Sequence, residues 1–523
     1  MFKQLCKYTI LGGYNLSFTD KKYKKEGNKQ MEKIRERLKL ISLKQWHIVL
    51  IIVGIIFISL GAFHSNIWFD ETYSAGLARH TFGEIWSIGG HDVHPILYYW
   101  MLRIVYLLTG GSIIAYRIFS VIPSAILIIL GYTHIRKDFG EKTGFIFSFL
   151  SAFLPEMAVY AVEIRMYSWA ILAVTILAIY AYRLSKEDNT KNWIIFGISS
   201  LASIYLHYYG LMAAGLINLI LLVYLIIKKR KKGIIFIISF GIVQALAYLP
   251  WLVNFVTQLS NVSNGFWIGF SFPKTPMELL SCQLAGYVKS SDYTELLVPT
   301  VLSLELYGYI IYKTYKYCKE KQDLKPFKWS VIVYFAVILA AIIITVVMKT
   351  SILYYRYLFV ITGLYIFAIS FILAKETNKV EIITILSVIV MLGTYNNVKL
   401  IKDNYDNSNY EPMNYIKENI QDGDTIAFSN LGGGFVAAIH FADNQVYFYN
   451  PENWGVEEAY KAFGPNYETC VTKDFTENCS NRIWVIDNID GSTFEELFKD
   501  KDYKKNYFTN YFTFPTLIKY SAI

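Results

Sequence analysis

Eleven apolar stretches of near-membrane length, at about 46–63, 113–133, 143–160, 167–184, 192–206, 208–227, 233–252, 294–312, 329–348, 352–374 and 379–398, constrain this chain more than any other feature. A helix needs about 20 apolar residues to cross roughly 30 Å of hydrocarbon, and within lipid it must satisfy its own backbone hydrogen bonds. The expected fold is therefore an α-helical polytopic membrane protein. With 54% hydrophobic and only 17% charged residues, the chain is too apolar for an ordinary soluble domain. The net charge of +9 is carried by short basic tracts between the apolar stretches, which is the pattern of cytoplasmic loops and argues against a nucleic-acid partner.

The same tracts orient the chain. They are the N-terminus, His134 to Lys142, Arg183 to Lys191, Lys228 to Lys232 and Lys313 to Lys328. The stretch 95–110 is ambiguous by apolarity, but all five tracts share one side only if it does not cross. It then becomes an external amphipathic helix bearing Tyr98, Tyr99, Trp100, Arg103 and Tyr106. About eleven crossings result, with the N-terminus cytoplasmic. Residues 1–45 read as a basic cytoplasmic segment with no cleavable signal peptide, its start at Met1 or Met31. Residues 46–398 read as the membrane domain, with an external loop at 64–112. The exported face also receives the Ala161–Met166 turn, His207, the 253–293 loop, the Met348–Ile352 junction and everything after about 398.

From about residue 399 the chain reads as an extracytoplasmic α/β domain, with strands at 424–428, 445–448 and 482–487 and helices at 411–420, 433–441 and 492–500. Gly432-Gly433-Gly434 lacks the Walker lysine and the dinucleotide spacing, and reads as a turn. Cys470 and Cys479 form either a disulfide, if this region lies outside the cell, or two free thiols, whereas Cys6, Cys282 and Cys318 are scattered. The Asn261-Val262-Ser263 and Asn478-Cys479-Ser480 triplets match the N-glycosylation pattern no better than chance does, and carry no assignment.

Carboxylates this close to hydrocarbon are costly unless they face water or a polar cavity, so Asp70-Glu71, a few residues after the first apolar stretch, mark a working site. Further clusters share the exported face: Gly90 to Trp100 with His94, Glu163-Ile164-Arg165-Met166-Tyr167, and Tyr354-Tyr355-Arg356-Tyr357.

Trp68-Phe69-Asp70-Glu71, His94-Pro95-Ile96-Leu97-Tyr98-Tyr99, Glu163 to Ser168, His207-Tyr208-Tyr209-Gly210 and Arg356-Tyr357-Leu358, in that order and spacing, resemble the family 39 type of polytopic glycosyltransferases. These are relatives of the dolichyl-phosphate-mannose protein mannosyltransferases and of the lipid A aminoarabinose transferase. The likeness covers about residues 45–375, and it departs at Ile96, where such proteins often carry a second proline. It implies a GT-C-like fold of about 11 to 13 transmembrane helices. It also implies transfer of a sugar from a polyprenyl-phosphate donor to an acceptor on the exported face, with inversion.

The residues fit that chemistry. An acceptor hydroxyl needs a base, and Asp70 is the candidate, with Glu71 beside it. A departing phosphate needs its charge stabilised by donors, for which Arg356 is first choice and Lys349, His94 and Arg165 are secondary. Glu163, Tyr98, Tyr167, His207, Tyr208 and Trp267 are candidates for substrate contact. No Cys or His spacing for a metal is present. Oxygens of Asp70, Glu71 and Glu163 leave Mg²⁺ or Mn²⁺ open, although the residues favour a metal-independent enzyme.

Plainer readings compete. Asp70 as a helix cap, Glu163–Arg165 as a structural ion pair, His94 as a turn residue, His207 as a packed core histidine and Arg356 as an interfacial snorkelling residue all fit the pattern. The alternative function is a transporter or flippase of a lipid-linked substrate, for which mid-span charges and two related halves are expected. The acceptor, whether envelope polymer, lipid or protein, is undetermined, and the C-terminal domain is expected to help select it.

Overall fold

The exposed faces of the long helices are hydrocarbon. On the Lys231–Asn264 helix, Ile235, Ile242, Val243, Leu246 and Val253 are all exposed, an arrangement stable in lipid and not in water. The computed structural model describes residues 42–264, 266–287, 293–406, 411–479, 482–487, 492–498, 503–509 and 516–522. The basic segment, Cys6 and both candidate start methionines lie outside the described residues. The chain divides into two units, Met1–Leu50 and Ile51–Ile523, and the second holds the candidate site and the sheet domain.

Among the described residues, nine helices are long and apolar enough to cross a bilayer: Leu43–Ala62, Ile113–Phe139, Tyr167–Lys186, Tyr208–Ile227, Lys231–Ser263, Tyr293–Lys319, Lys325–Met348, Tyr355–Lys375 and Lys379–Asn404. The expected span 143–160 is instead two helices, Glu141–Phe153 and Pro155–Val162, bent by 62°. The cause is Pro155, which lacks an N–H and holds Leu154 in an extended conformation (φ −59, ψ 135). Counted as one broken span, the pair makes ten. The remaining expected span is the Thr190–Leu206 helix of 17 residues, packed along both the Tyr167–Lys186 and Tyr208–Ile227 helices.

The 95–110 stretch is a 13-residue helix, Leu97–Thr109, only about 20 Å long and too short to cross. The Lys274–Ala285 helix in the 253–293 loop was not anticipated.

Six strands form one sheet in the order β3-β2-β1-β4-β6-β5: β1 Thr425–Phe428, β2 Gln445–Tyr449, β3 Tyr467–Cys470, β4 Arg482–Asp487, β5 Tyr503–Thr509 and β6 Thr516–Ala522. β1 to β4 are parallel, and β6 runs antiparallel to both β4 and β5. The three strands and three helices read from the sequence are present, but β3, β5 and β6 are additions. The glycine cluster is not a turn. It forms the first turn of the Leu431–His440 helix, capped by Asn430 Oδ1, which accepts from the Gly433 N–H at 3.2 Å. A Cβ on Gly434 would enter the Phe428 ring, so the glycine allows this helix to lie on β1. No disulfide joins Cys470 to Cys479, and both pack in the core formed by Tyr447, Phe475 and Phe494.

The sheet domain is fastened to the short helix Phe69–Leu77. Phe69 sits against Phe435 and Phe463 with ring centroids 5.4 and 6.0 Å apart, and Arg79 donates to the Ile439 carbonyl at 2.7 Å. Gly76 lies where a Cβ would be 2.7 Å from the Phe463 carbonyl oxygen. Replacing Gly76 by alanine should therefore overpack this contact and cost about 1–3 kcal/mol. Thermal unfolding and limited proteolysis of the Gly76→Ala variant would check this, the expected outcome being a lower melting temperature and faster cleavage within the sheet domain.

Candidate active site

The helix Phe69–Leu77 starts where Trp68 is extended (φ −116, ψ 170), and both acids fall in its first turn, at the positive end of the helix dipole. The capping role belongs to Glu71, whose Oε2 accepts from the Trp68 N–H at 3.4 Å, and not to Asp70.

Glu71 is fully engaged. Arg117 donates to it through both terminal nitrogens, Nη1 to Oε1 at 2.6 Å and Nη2 to Oε2 at 2.8 Å, and the Ile164 N–H donates to Oε1 at 2.9 Å. Arg117 also donates to the Val162 and Asn66 carbonyls at 2.9 and 2.5 Å. Both side chains are at least 97% buried. Sequence reasoning passed over Arg117, though an arginine inside the apolar stretch 113–133 is a legible signal.

Asp70 points the other way. Arg356 Nη1 donates to its Oδ2 at 2.8 Å, across 286 residues of sequence, and approaches Glu163 Oε1 at 3.6 Å. The Arg356 guanidinium lies 4.7 Å from the centre of the Trp68 ring. Glu163 pairs with Arg356, and not with Arg165 as the structural-pair reading had it. Arg165 Nη1 instead donates to the Asp70 carbonyl at 3.2 Å and to Ser74 Oγ at 3.4 Å, while its Nε has no partner. Burial pushes the Glu163 carboxyl up to about 7, with Arg356 opposing and Asp70 and Glu71 adding to the rise.

A second group gathers next to Arg165. His94 and His207 face each other with ring centroids 5.2 Å apart, and Tyr357 closes on both. His207 Nδ1 accepts from the Tyr209 N–H at 3.1 Å, which leaves the neutral ring's proton on Nε2, an atom without a partner. His94 Nδ1 is likewise unpartnered. Burial, then the nearby Arg165 charge, lowers both imidazoles, His207 to about 3, so both are neutral.

The other candidates divide. Tyr167 lies 5.8 Å from His207 between ring centroids, within this group. Tyr208 shares a cavity of about 160 Å³ with His94, His207 and Gln258, and bonds Gln258. Tyr98 is fully buried, 3.3 Å from Ser120 Oγ, and packs in the helix interior away from both cavities. Trp267 is exposed against Tyr354, and Lys349 is exposed at a left-handed C-cap (φ 57); neither joins the Asp70–Arg356–Glu163 group. Glu71 faces Arg117 while Asp70 and Glu163 face Arg356, so the three carboxylates do not converge on one metal position. A larger cavity of about 630 Å³ is bounded by Trp68, Glu163, Arg356, Tyr287, Asn404 and the helix start at Gly432.

This geometry predicts two outcomes. Glu71→Gln leaves the Arg117 charge buried without its partner, so stability should fall by about 3–5 kcal/mol, read as a lower melting temperature and reduced yield of folded protein. Above pH about 7, Glu163 ionises and competes for Arg356. Binding of an anionic ligand at Arg356 should therefore weaken on the alkaline side, as read by its dissociation constant against pH, and Glu163→Gln should remove that limb. For stability the sign is the same. The folded state binds the Glu163 proton more tightly than the unfolded chain, so this contribution is complete below about pH 4.5 and is lost as pH rises through about 7.

The family model described as dolichyl-phosphate-mannose-protein mannosyltransferase matches residues 93–260, a stretch holding His94, Glu163, Arg165, Tyr167, His207 and Tyr208. No curated protein sequence matches the chain. Among solved structures, ArnT from Cupriavidus metallidurans bound to undecaprenyl phosphate is 11% identical, with a TM-score of 0.60 over 91% of this chain and 98% of that one. The same protein in the apo state is 11% identical, with a TM-score of 0.48 over 91% and 97%. The resemblance seen in the sequence thus returns in three dimensions, and the chain has a multi-pass, ArnT-like GT-C fold with a small C-terminal sheet.

Proposed function

We propose that this protein is a membrane glycosyltransferase that moves a sugar from a polyprenyl-phosphate carrier to an acceptor hydroxyl on the exported face. The N-terminus is then cytoplasmic and the sheet domain extracytoplasmic. The observation that carries the reading is the contact between Asp70 and Arg356, which sets a carboxylate and a guanidinium side by side at a cavity edge. The fold likeness to ArnT bound to undecaprenyl phosphate supports the choice of donor class.

In this mechanism the acceptor oxygen attacks the anomeric carbon as the bond from that carbon to the phosphate oxygen breaks. Asp70 takes the acceptor proton, and the lipid phosphate leaves with the bonding electrons on the opposite face, so the configuration inverts. Arg356 and Arg165 stabilise the developing phosphate charge with preorganised donors, and neutral His94 and His207 add N–H groups. Because the three acids do not converge, the reaction is drawn without a metal. Glu71 acts through Arg117 as a positioning group that holds the helix carrying Asp70.

In vesicles supplied with a radiolabelled polyprenyl-phosphate sugar, Asp70→Asn should reduce transfer by about 10²–10⁴-fold without lowering the melting temperature. Arg356→Lys keeps the charge but loses the planar fork, and should reduce transfer at least about tenfold. Full activity in Asp70→Asn would remove the catalytic centre from this reading.

A further inference from the structure

Two cavities adjoin the Arg356-Tyr357 segment, the larger lined by Arg356 and the smaller by Tyr357, and their difference in chemistry bears on the acceptor. The smaller one is lined by membrane helices and mostly apolar side chains, with His94, His207 and Tyr208 at one end. Arg165 lies within electrostatic reach of both histidines. Uncommitted donors therefore gather on that side: Arg165 Nε, His207 Nε2 and the His94 ring. The larger cavity has the opposite balance. The cations that line it, among the described residues, are Arg117 and Arg356, and each is matched by a carboxylate, Glu71 at 2.6 Å and Asp70 at 2.8 Å. Glu163 and Asp403 add further acid to the wall.

We propose that the larger cavity is the acceptor site and that it takes a neutral glycan. This rests on the transferase reading above and names the acceptor class within it. An anionic acceptor, such as a phosphate-bearing polymer or lipid headgroup, finds Arg117 held by Glu71 and Arg356 shared between Asp70 and the departing donor phosphate, and meets Glu163 and Asp403. A serine or threonine side chain offers one hydroxyl, whereas this wall holds several hydrogen-bonding positions among aromatic faces. Trp68, Tyr287 and Tyr355 line it with rings of the kind that pack on the apolar face of a sugar, and Asn66, Asn404 and Asp403 add polar groups to the wall.

His64 is the sharpest sign. It is only 8% exposed, it lines this cavity, and neither ring nitrogen has a hydrogen-bond partner of regular geometry. A buried ring held only by an irregular contact to the Gly61 backbone is under-satisfied, and a ligand hydroxyl relieves that cost. The volume of about 630 Å³ is that of a small-molecule site, large enough for more than one sugar ring. The roof is Gly432 and Val436, at the start of the Leu431–His440 helix, so the sheet domain contributes directly to the pocket.

The test is binding without donor. The full chain in nanodiscs of zwitterionic lipid is titrated with maltotriose and cellotriose, with glucose 6-phosphate, and with a serine- and threonine-containing hexapeptide, each followed by saturation-transfer NMR. A neutral trisaccharide should bind, and both His64→Phe and Tyr287→Ala should weaken it on the order of tenfold. His64→Phe keeps the ring packed against Tyr405, 5.3 Å away between centroids, so a change in affinity without a change in melting temperature separates ligand contact from folding. Preferential binding of the phosphorylated sugar or the peptide, no trisaccharide binding, or affinity untouched by both variants overturns the proposal. Because no donor is present, that failure is distinct from loss of the transferase reading, which the Asp70→Asn transfer assay decides.

Discussion

The buried pair of Glu71 and Arg117 is the constraint on which the site depends. Two charges taken out of water cost several kcal/mol each, and only close, bidentate geometry with further hydrogen bonds offsets that. Here the Ile164 N–H and the Asn66 and Val162 carbonyls complete the shell, so one salt bridge joins the short acidic helix, the Ile113–Leu130 helix and the turn carrying Glu163 and Arg165. With Glu71 held, the helix has one rotational setting, and the adjacent Asp70 is turned toward Arg356. The two acids of the Asp70-Glu71 pair thus divide, Glu71 meeting Arg117 and Asp70 meeting Arg356, which lines the larger cavity.

A second fastening comes from outside the membrane helices. Phe69, Gly76 and Arg79 tie the same short helix to the sheet domain. The fold therefore clamps its acidic helix between spans and sheet, and the sheet domain both positions Asp70 and closes the larger cavity. The bend at Leu154 serves the same end, because it ends the membrane segment early and frees the Glu163-to-Met166 turn to reach the Asp70 helix.

Much of this was legible beforehand. The apolar stretches located the spans, since length and hydrocarbon exposure are set locally, and the ordered motifs brought Asp70, Glu163, Arg165, His94, His207 and Arg356 to one region. The place of Tyr98 was not legible, because burial depends on what a helix face meets, and Leu97–Thr109 turns Tyr98 inward onto Ser120. The Gly432 to Gly434 run misled because its glycines answer to Phe428 across the sheet domain and not to a local turn. Arg117 was readable as an intramembrane charge but had no visible partner in sequence.

What the sequence alone determined is what short-range physics decides: a polytopic helical chain, its polar clusters, a small α/β region, and the residue types able to carry proton and phosphate chemistry. Tertiary structure decided which charge meets which. Asp70 and Arg356 stand 286 positions apart and Glu71 and Arg117 stand 46 apart, so nothing local pairs them. Only the packing of the helices, by fixing distances of a few ångströms in a low-dielectric interior, gives neighbouring carboxylates different partners, Arg117 for Glu71 and Arg356 for Asp70.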